Sequence, residues 1–136
     1  FAAQMSVALT ARLDDWQPDL ITYMPIGFLH YRKRGYNQAE LLAKLVAKPL
    51  SLPCEATLRK RWFVGKQSAQ KDYAARQSNA KDAVLPKGSV DLTGKSVVLV
   101  DDIITTGATA AAAVKALREM GASRVYVLAA TFTPGK

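Results

Sequence analysis

One cysteine, Cys54, and one histidine, His30, are all that the chain carries of the residues that build disulfide or zinc scaffolds. A disulfide framework and a Cys/His zinc site within these residues are therefore excluded. A reduced, cytoplasmic setting is expected, with Cys54 filling a small core space beside a strand. Long apolar runs are also lacking: Lys, Asp or Glu interrupts every stretch before it reaches the roughly eighteen residues of a membrane span, so no membrane insertion is expected. The sequence opens on Phe1 with neither a basic n-region nor an apolar h-region, and reads as a fragment of a longer chain rather than as a secreted precursor. Acids are scarce, 11 against 19 bases, and the resulting net charge of +8 favours polyanionic partners (nucleic acid, nucleotides or diphosphates) without choosing among them. Much of that charge could equally be solvated surface. Neither an internal repeat nor a low-complexity linker is visible, and 136 residues with 49% hydrophobic and 22% charged content suit one domain over 1–136 with a real core.

The chain is organised around the stretch from Val97 to Thr109. Val97, Val98, Leu99 and Val100 form the continuous apolar run of a strand buried on both faces, as in a parallel sheet between helices. Asp101 and Asp102 then stand where that strand is expected to leave the sheet, and ligands of open α/β sheets gather at that end. Thr105, Thr106, Gly107, Ala108 and Thr109 follow, small and hydroxyl-rich, and open a helix expected from Ala108 to Met120. A helix N-terminus offers free N–H groups and a positive dipole end, a ready site for phosphate. Two carboxylates beside a phosphate cradle call for a ligand with hydroxyls and a phosphate. Ribose 5-phosphate fits, its 2- and 3-hydroxyls donating to the acids and its phosphate held by the turn. The plainer reading is an ordinary strand, loop and helix with acids and threonines placed where they cap well.

Elsewhere, Phe1, Met5, Leu9 and Leu13 recur at helical spacing, with Val7 and Ala8 beside them, and the segment from Asp14 to Asp19 with Pro18 ends that helix. Leu20 to Met24 reads as a strand closed by Pro25. A loop from Gly27 to Gln38 holds the successive cations Arg32, Lys33 and Arg34 ahead of Gly35; cations there can reach a diphosphate, or can simply be solvated. Asn37 and Glu40 make a capping-box start for a helix reaching about Lys48, with Leu41, Leu42, Leu45 and Val46 as its buried face and Pro49 as its stop. Cys54 to Leu58 reads as a short strand. The basic and aromatic run of Arg59, Lys60, Arg61, Trp62 and Phe63 follows and could stack single-stranded nucleic acid, or could be a strand end with one ring buried. The polar stretch from Gly65 to Lys81 is a candidate flap over a site. Val84 and Leu85 begin another strand, and Arg124 to Thr131 gives the last one. In the helix between, Val114, Leu117 and Met120 face the core and Gly121 suits the C-cap. Gly94, Lys95 and Ser96 end like a Walker A loop, but Ser89 stands where the first glycine belongs and a strand follows. Alternating helices and strands imply a three-layer α/β domain with a mainly parallel central sheet.

The run of apolar strand, two acids, two variable residues and Thr-Thr-Gly resembles the phosphoribosyl pyrophosphate (PRPP) motif of type I phosphoribosyltransferases. Met24-Pro25, then Arg34-Gly35-Tyr36-Asn37-Gln38-Ala39 and Leu42-Ala43, resembles the ComF family, competence-associated proteins whose main domain is phosphoribosyltransferase-like; Tyr36 stands where phenylalanine is commoner. The resemblance implies Asp101 and Asp102 as the catalytic acids, with Thr105 to Thr109 on the 5-phosphate. It implies Arg32, Lys33, Arg34 and Gly35 on the pyrophosphate, and Mg²⁺ held through the ligand rather than by a direct metal site. Arg76 and Asn79 match an Arg-x-x-Asn that the family carries, with no chemistry assigned, while Val84 falls where it usually has phenylalanine. An N-terminal zinc-binding segment is expected upstream. The implied activity is transfer of the phosphoribosyl group to an acceptor with pyrophosphate release. The alternative is a PRPP-sensing or DNA-uptake and processing module without turnover, whose partners would be single-stranded DNA or other competence proteins.

Overall fold

The computed structural model describes residues 2–27, 32–60, 84–104 and 107–132. His30, Arg61, Trp62, Phe63, the candidate flap with Arg76 and Asn79, Thr105 and Thr106 lie outside them. The elements run α1 (Ala2–Thr10), α2 (Leu13–Trp16), β1 (Leu20–Tyr23), α3 (Gln38–Leu50), β2 (Leu58–Lys60), β3 (Val84–Pro86), β4 (Ser96–Ile104), α4 (Ala108–Glu119) and β5 (Arg124–Phe132). Among them no helix is long and apolar enough to cross a membrane.

A parallel three-stranded sheet in the order β1-β4-β5 forms the middle layer. Val97, Val98, Leu99 and Val100 are fully buried at its centre, as an uninterrupted apolar run requires. Alternation sends Val98 and Val100 into a cluster with Met5 and Leu9 of α1 and Leu42, Ala43 and Val46 of α3. Val97 and Leu99 enter the opposite cluster with Ala113, Ala116 and Leu117 of α4 and with Leu58 and Val84 of an antiparallel β2/β3 ribbon. Three layers result, as the order of elements implied.

Local departures have physical causes. The first helix breaks at Ala11 and Arg12, and the expected terminator instead carries a second helix, which closes on Gln17 in the left-handed region ahead of Pro18. Helix α3 runs past Pro49 to Leu50. The carbonyl that loses its partner to the proline ring belongs to Leu45 on the exposed side, and Ser51 caps the end by donating to the Ala47 and Lys48 carbonyls. Its buried face is Ala39, Leu42, Ala43, Val46 and Ala47, while Leu41 and Leu45 are exposed, a correction to the expected stripe. Alanines let the helix sit close to the sheet, and that contact turns the two leucines out. In α4 the same thing happens: Ala110, Ala113, Ala116 and Leu117 are buried, with Val114 and Met120 only partly so. Between Cys54 and Leu58 there is a single bridge, Ile21 to Cys54, rather than a strand; β2 begins at Leu58 and takes in Arg59 and Lys60. Cys54 is half-buried, and burial pushes its thiol pKa up, so it behaves as packing rather than as an activated nucleophile.

The sheet is pinned at its amino end. Ser96 donates its backbone N–H to Asp19 Oδ2 (2.8 Å) and its hydroxyl to the Trp16 carbonyl (2.8 Å), and Trp16 stacks on Tyr126 with centroids 4.3 Å apart. After α4, Gly121 takes φ +106, and a Cβ there would come within 2.8 Å of the Thr93 backbone, so only glycine makes this return.

Candidate functional site

β1 and β4 run parallel, with Tyr23 opposite Val100, and the Met24 N–H still reaches the Val100 carbonyl at 2.9 Å. β1 ends at Tyr23, and Pro25 beyond it has no N–H to continue a ladder. β4 does not end with it. Asp101 and Asp102, expected at the strand exit, lie inside the strand, because β5 is long enough to pair on through Ile104 opposite Phe132. The two acids therefore stand on a ledge of β4 that β1 no longer flanks.

Alternation places Asp101 on the Leu99 face and Asp102 on the other. Asp101 is buried and Asp102 half-exposed. Asp101 Oδ1 accepts from the Asp102 N–H at 2.8 Å, and Asp102 Oδ1 accepts from the Ile103 N–H at 2.9 Å. Burial, and then the neighbouring Asp102 side chain, push the Asp101 carboxyl up to about 6. Such a group changes charge just below neutrality.

Gly107 follows at φ +83 and caps α4 in the left-handed conformation, with no side-chain cap. A Cβ on Gly107 would meet nothing within 4 Å, so glycine is needed here for its backbone angle and not for clearance. Thr109 is exposed in the first turn of α4. Of the expected 5-phosphate cradle, Gly107, Ala108 and Thr109 are thus found together at a helix N-terminus on the strand that carries the acids.

The basic loop leaves the same end of the sheet from the adjacent strand. Arg32, Lys33 and Arg34 occupy a helical turn at residues 32–34, all exposed, before Gly35 at φ +79. Asn37 closes this loop. Its Oδ1 accepts from the Ala39 and Glu40 N–H groups as the expected cap, and its Nδ2 donates to the Met24 carbonyl at 3.0 Å. The second bond ties the end of the loop to its beginning, and sequence reading missed it. The available signal was residue type: an ionised Asp caps as well, but Asn adds an amide donor beside the accepting oxygen. Another missed contact is the buried pair of Thr22 and Thr57 hydroxyls, 2.6 Å apart, which fastens β1 to the approach of β2.

Beside the loop lies a groove lined by Tyr23, Asn37 and Glu40 together with Arg59, Lys60 and Lys87. Glu40 accepts from Lys44 at 2.8 Å, and burial, then the Glu40 charge, raise the Tyr23 phenol pKa. Lys87 was not singled out from the sequence, because it only joins Arg59 and Lys60 once β3 pairs with β2.

Comparison with known proteins agrees with this geometry. The model of the phosphoribosyl transferase domain matches residues 36–134. Competence protein F of Haemophilus influenzae is 35% identical over 109 residues, covering 76% of this chain and 47% of that protein. DNA utilization protein YhgH of Escherichia coli is 28% identical over 110 residues, covering 81% and 48%. The chain spans about half the length of these curated relatives. In structure, a purine phosphoribosyltransferase from Pyrococcus horikoshii superposes with a TM-score of 0.59 over 96% of this chain and 71% of that one, at 19% identity, a likeness of fold. With a domain match over most of its length, and with Asp101, Asp102 and Gly107 of the matched range at the carboxyl end of a parallel sheet, the chain belongs to the phosphoribosyl transferase domain family.

Proposed function

We propose that the chain binds PRPP with Mg²⁺ and transfers its phosphoribosyl group to an acceptor, releasing pyrophosphate. The observation that carries this reading is the succession of β4 and α4 along the chain: a buried and a half-exposed carboxylate on the ledge, then a left-handed glycine opening a helix. Ionised Asp101 and Asp102 accept from the ribose hydroxyls, while the turn and the α4 N-terminus hold the 5-phosphate. In the reaction the bond from C1 to the diphosphate oxygen breaks, its electron pair leaves with pyrophosphate, and the acceptor's nucleophilic atom bonds to C1 and gives its proton to solvent. Positive charge grows on the ribose ring, where the two carboxylates are. Negative charge grows on the leaving diphosphate, within the field of Arg32, Lys33 and Arg34, and stabilisation that increases along the reaction is what lowers the barrier.

The donor set fits a Mg²⁺ that arrives on the ligand, since such an ion keeps several waters and takes one or two carboxylates together with substrate phosphates. Asp101 and Asp102 would meet it through the ribose hydroxyls, and bound Mg²⁺ would neutralise diphosphate charge. The relatives carry competence and DNA-utilization names, so we take DNA handling in the cytoplasm as the setting.

Thermal melting with millimolar PRPP and Mg²⁺ tests the binding: a ligand that binds only the native state must raise the melting temperature. A folded protein with no shift overturns the reading. Pyrophosphate release with a panel of nucleobases then separates a transferase from a module that senses PRPP without turnover.

A further inference from the structure

The two edges of the central sheet are finished differently. Along the outer side of β1 runs the segment that follows α3: the Ile21 N–H donates to the Pro53 carbonyl at 2.9 Å, and the Glu55 N–H donates to the Ile21 carbonyl at 3.0 Å. β5 forms the opposite edge and, among the described residues, pairs only with β4. Such an edge presents a row of N–H and C=O groups open to a further strand, and proteins usually blunt it with proline, a bulge, an inward charge or a short strand. β5 has none of these devices. It runs for nine residues, Arg124–Phe132, without proline, and carries its one charge, Arg124, at the first position. Its register with β4 is constant from the pair of Ser96 and Arg124 to the pair of Ile104 and Phe132.

What this edge would accept follows from its pattern. Val125 and Val127 pack on the α4 side of the sheet, and Tyr126, Leu128 and Ala130 on the α1 and α3 side, so an added strand must be apolar on both faces. A second copy of β5 meets that demand when the two run antiparallel about a twofold axis through Leu128. All nine positions then overlap, odd positions stay on the α4 side and even positions on the other. Tyr126 falls opposite Ala130 and Val127 opposite Ala129, a larger residue facing a smaller one each time. Charge agrees: on a chain of net charge +8 this strip is charged only at Arg124, and the two copies of Arg124 would stand about 27 Å apart at the strand rise. The strand is about 30 Å long and the three layers make the edge about 20 Å deep, so pairing would bury about 1,200 Å² in total, the lower end for a specific interface. We propose that two copies of this chain join through β5 into one continuous sheet, antiparallel at the junction and symmetric about Leu128.

Sedimentation equilibrium from micromolar to submillimolar concentration should show monomer passing to dimer. Ala129→Lys sets a charge beside Val127 of the second copy and should weaken association at least about tenfold; Thr131→Lys, the next position on that face, should do the same. Leu41→Gln with Leu45→Gln, on the exposed side of α3, should leave association within about twofold. The register has its own readout. In a Cys54→Ser background, Leu128→Cys would meet its own copy with Cα atoms about 4.5–5.5 Å apart, within disulfide range, and should cross-link on mild oxidation. Ala130→Cys would hold its two thiols at positions roughly 14 Å apart along the strands and should not cross-link. Melting curves confirm that each variant is folded. A chain that stays monomeric at every concentration would overturn the proposal. So would a dimer that survives Ala129→Lys and Thr131→Lys but is lost in the α3 variant, or equal cross-linking at positions 128 and 130.

Discussion

Two segments leave the same end of the sheet from neighbouring strands, and they are built on opposite principles. The β4 and α4 arm is held by a strand buried on both faces, and its charged groups sit on that strand; the arm between β1 and α3 carries exposed cations on a loop whose ends are tied by one side chain, Asn37. A site that grips a ribose needs fixed acceptors, whereas a leaving diphosphate needs charge that can follow it. If this division holds, damage to the first arm removes recognition of the sugar phosphate, and damage to the second removes only what the diphosphate adds.

The largest effect is expected from Asp101→Asn with Asp102→Asn. Amides fill the same space but lose charge-assisted bonds of about 1.5–3 kcal/mol each, so PRPP affinity should fall about a hundredfold by calorimetry with the fold intact. Unchanged affinity would remove the acids from the site. Gly107→Val comes next: a β-branched residue at φ +83 carries strain of about 1–3 kcal/mol, and relief of that strain moves the N–H groups proposed to hold the phosphate. Ribose 5-phosphate and PRPP should both weaken about tenfold in titrations, in keeping with that strain.

Arg32→Ala with Arg34→Ala sharpens the contrast. PRPP and free pyrophosphate should weaken about tenfold while ribose 5-phosphate is spared, in line with about 1.5–3 kcal/mol for bonds to charged groups. Equal losses for all three ligands would erase the difference between the arms. Asn37→Ala removes both the cap and the tie to Met24, and chemical denaturation should show a loss of about 1–2 kcal/mol.

The smallest effect is a pH dependence. The Asp101 carboxyl is raised to about 6 in the fold, so its contribution to stability is full below the unfolded value near 4 and is lost as pH rises through about 6. Asp101→Asn should therefore melt about 2–5 °C above the unaltered chain at pH 8 and lose that advantage near pH 4. PRPP binding should run the other way, strengthening with pH through about 6 in the unaltered chain only.

The first arm was far more legible in the sequence than the second. An apolar tetrad followed by acids and a glycine-containing turn is a local pattern, and local patterns survive folding: Val97 to Val100 are buried and Gly121 follows α4 as expected. What could not be read depends on partners distant in sequence. Asp101 lies within the strand because β5 pairs that far, Leu41 and Leu45 turn outward because alanines set the closeness of α3, and Lys87 meets Arg59 only across a ribbon. The Met24 carbonyl finds Asn37 for the same reason.

The central position of β4 also has a kinetic consequence. On one side β4 is fastened to a return only 29 residues away, where Ser123 bonds to Gly94; on the other, its Ser96 bonds to Asp19 across 77 residues of chain. Closing the shorter loop costs less entropy, so the β4, α4 and β5 unit is expected to form early in folding and the β1 side to dock onto it afterwards. The half proposed to hold the sugar phosphate would then be assembled before the half that carries the loop cations, and substitutions in β4 should slow folding while those at Asn37 should mainly speed unfolding.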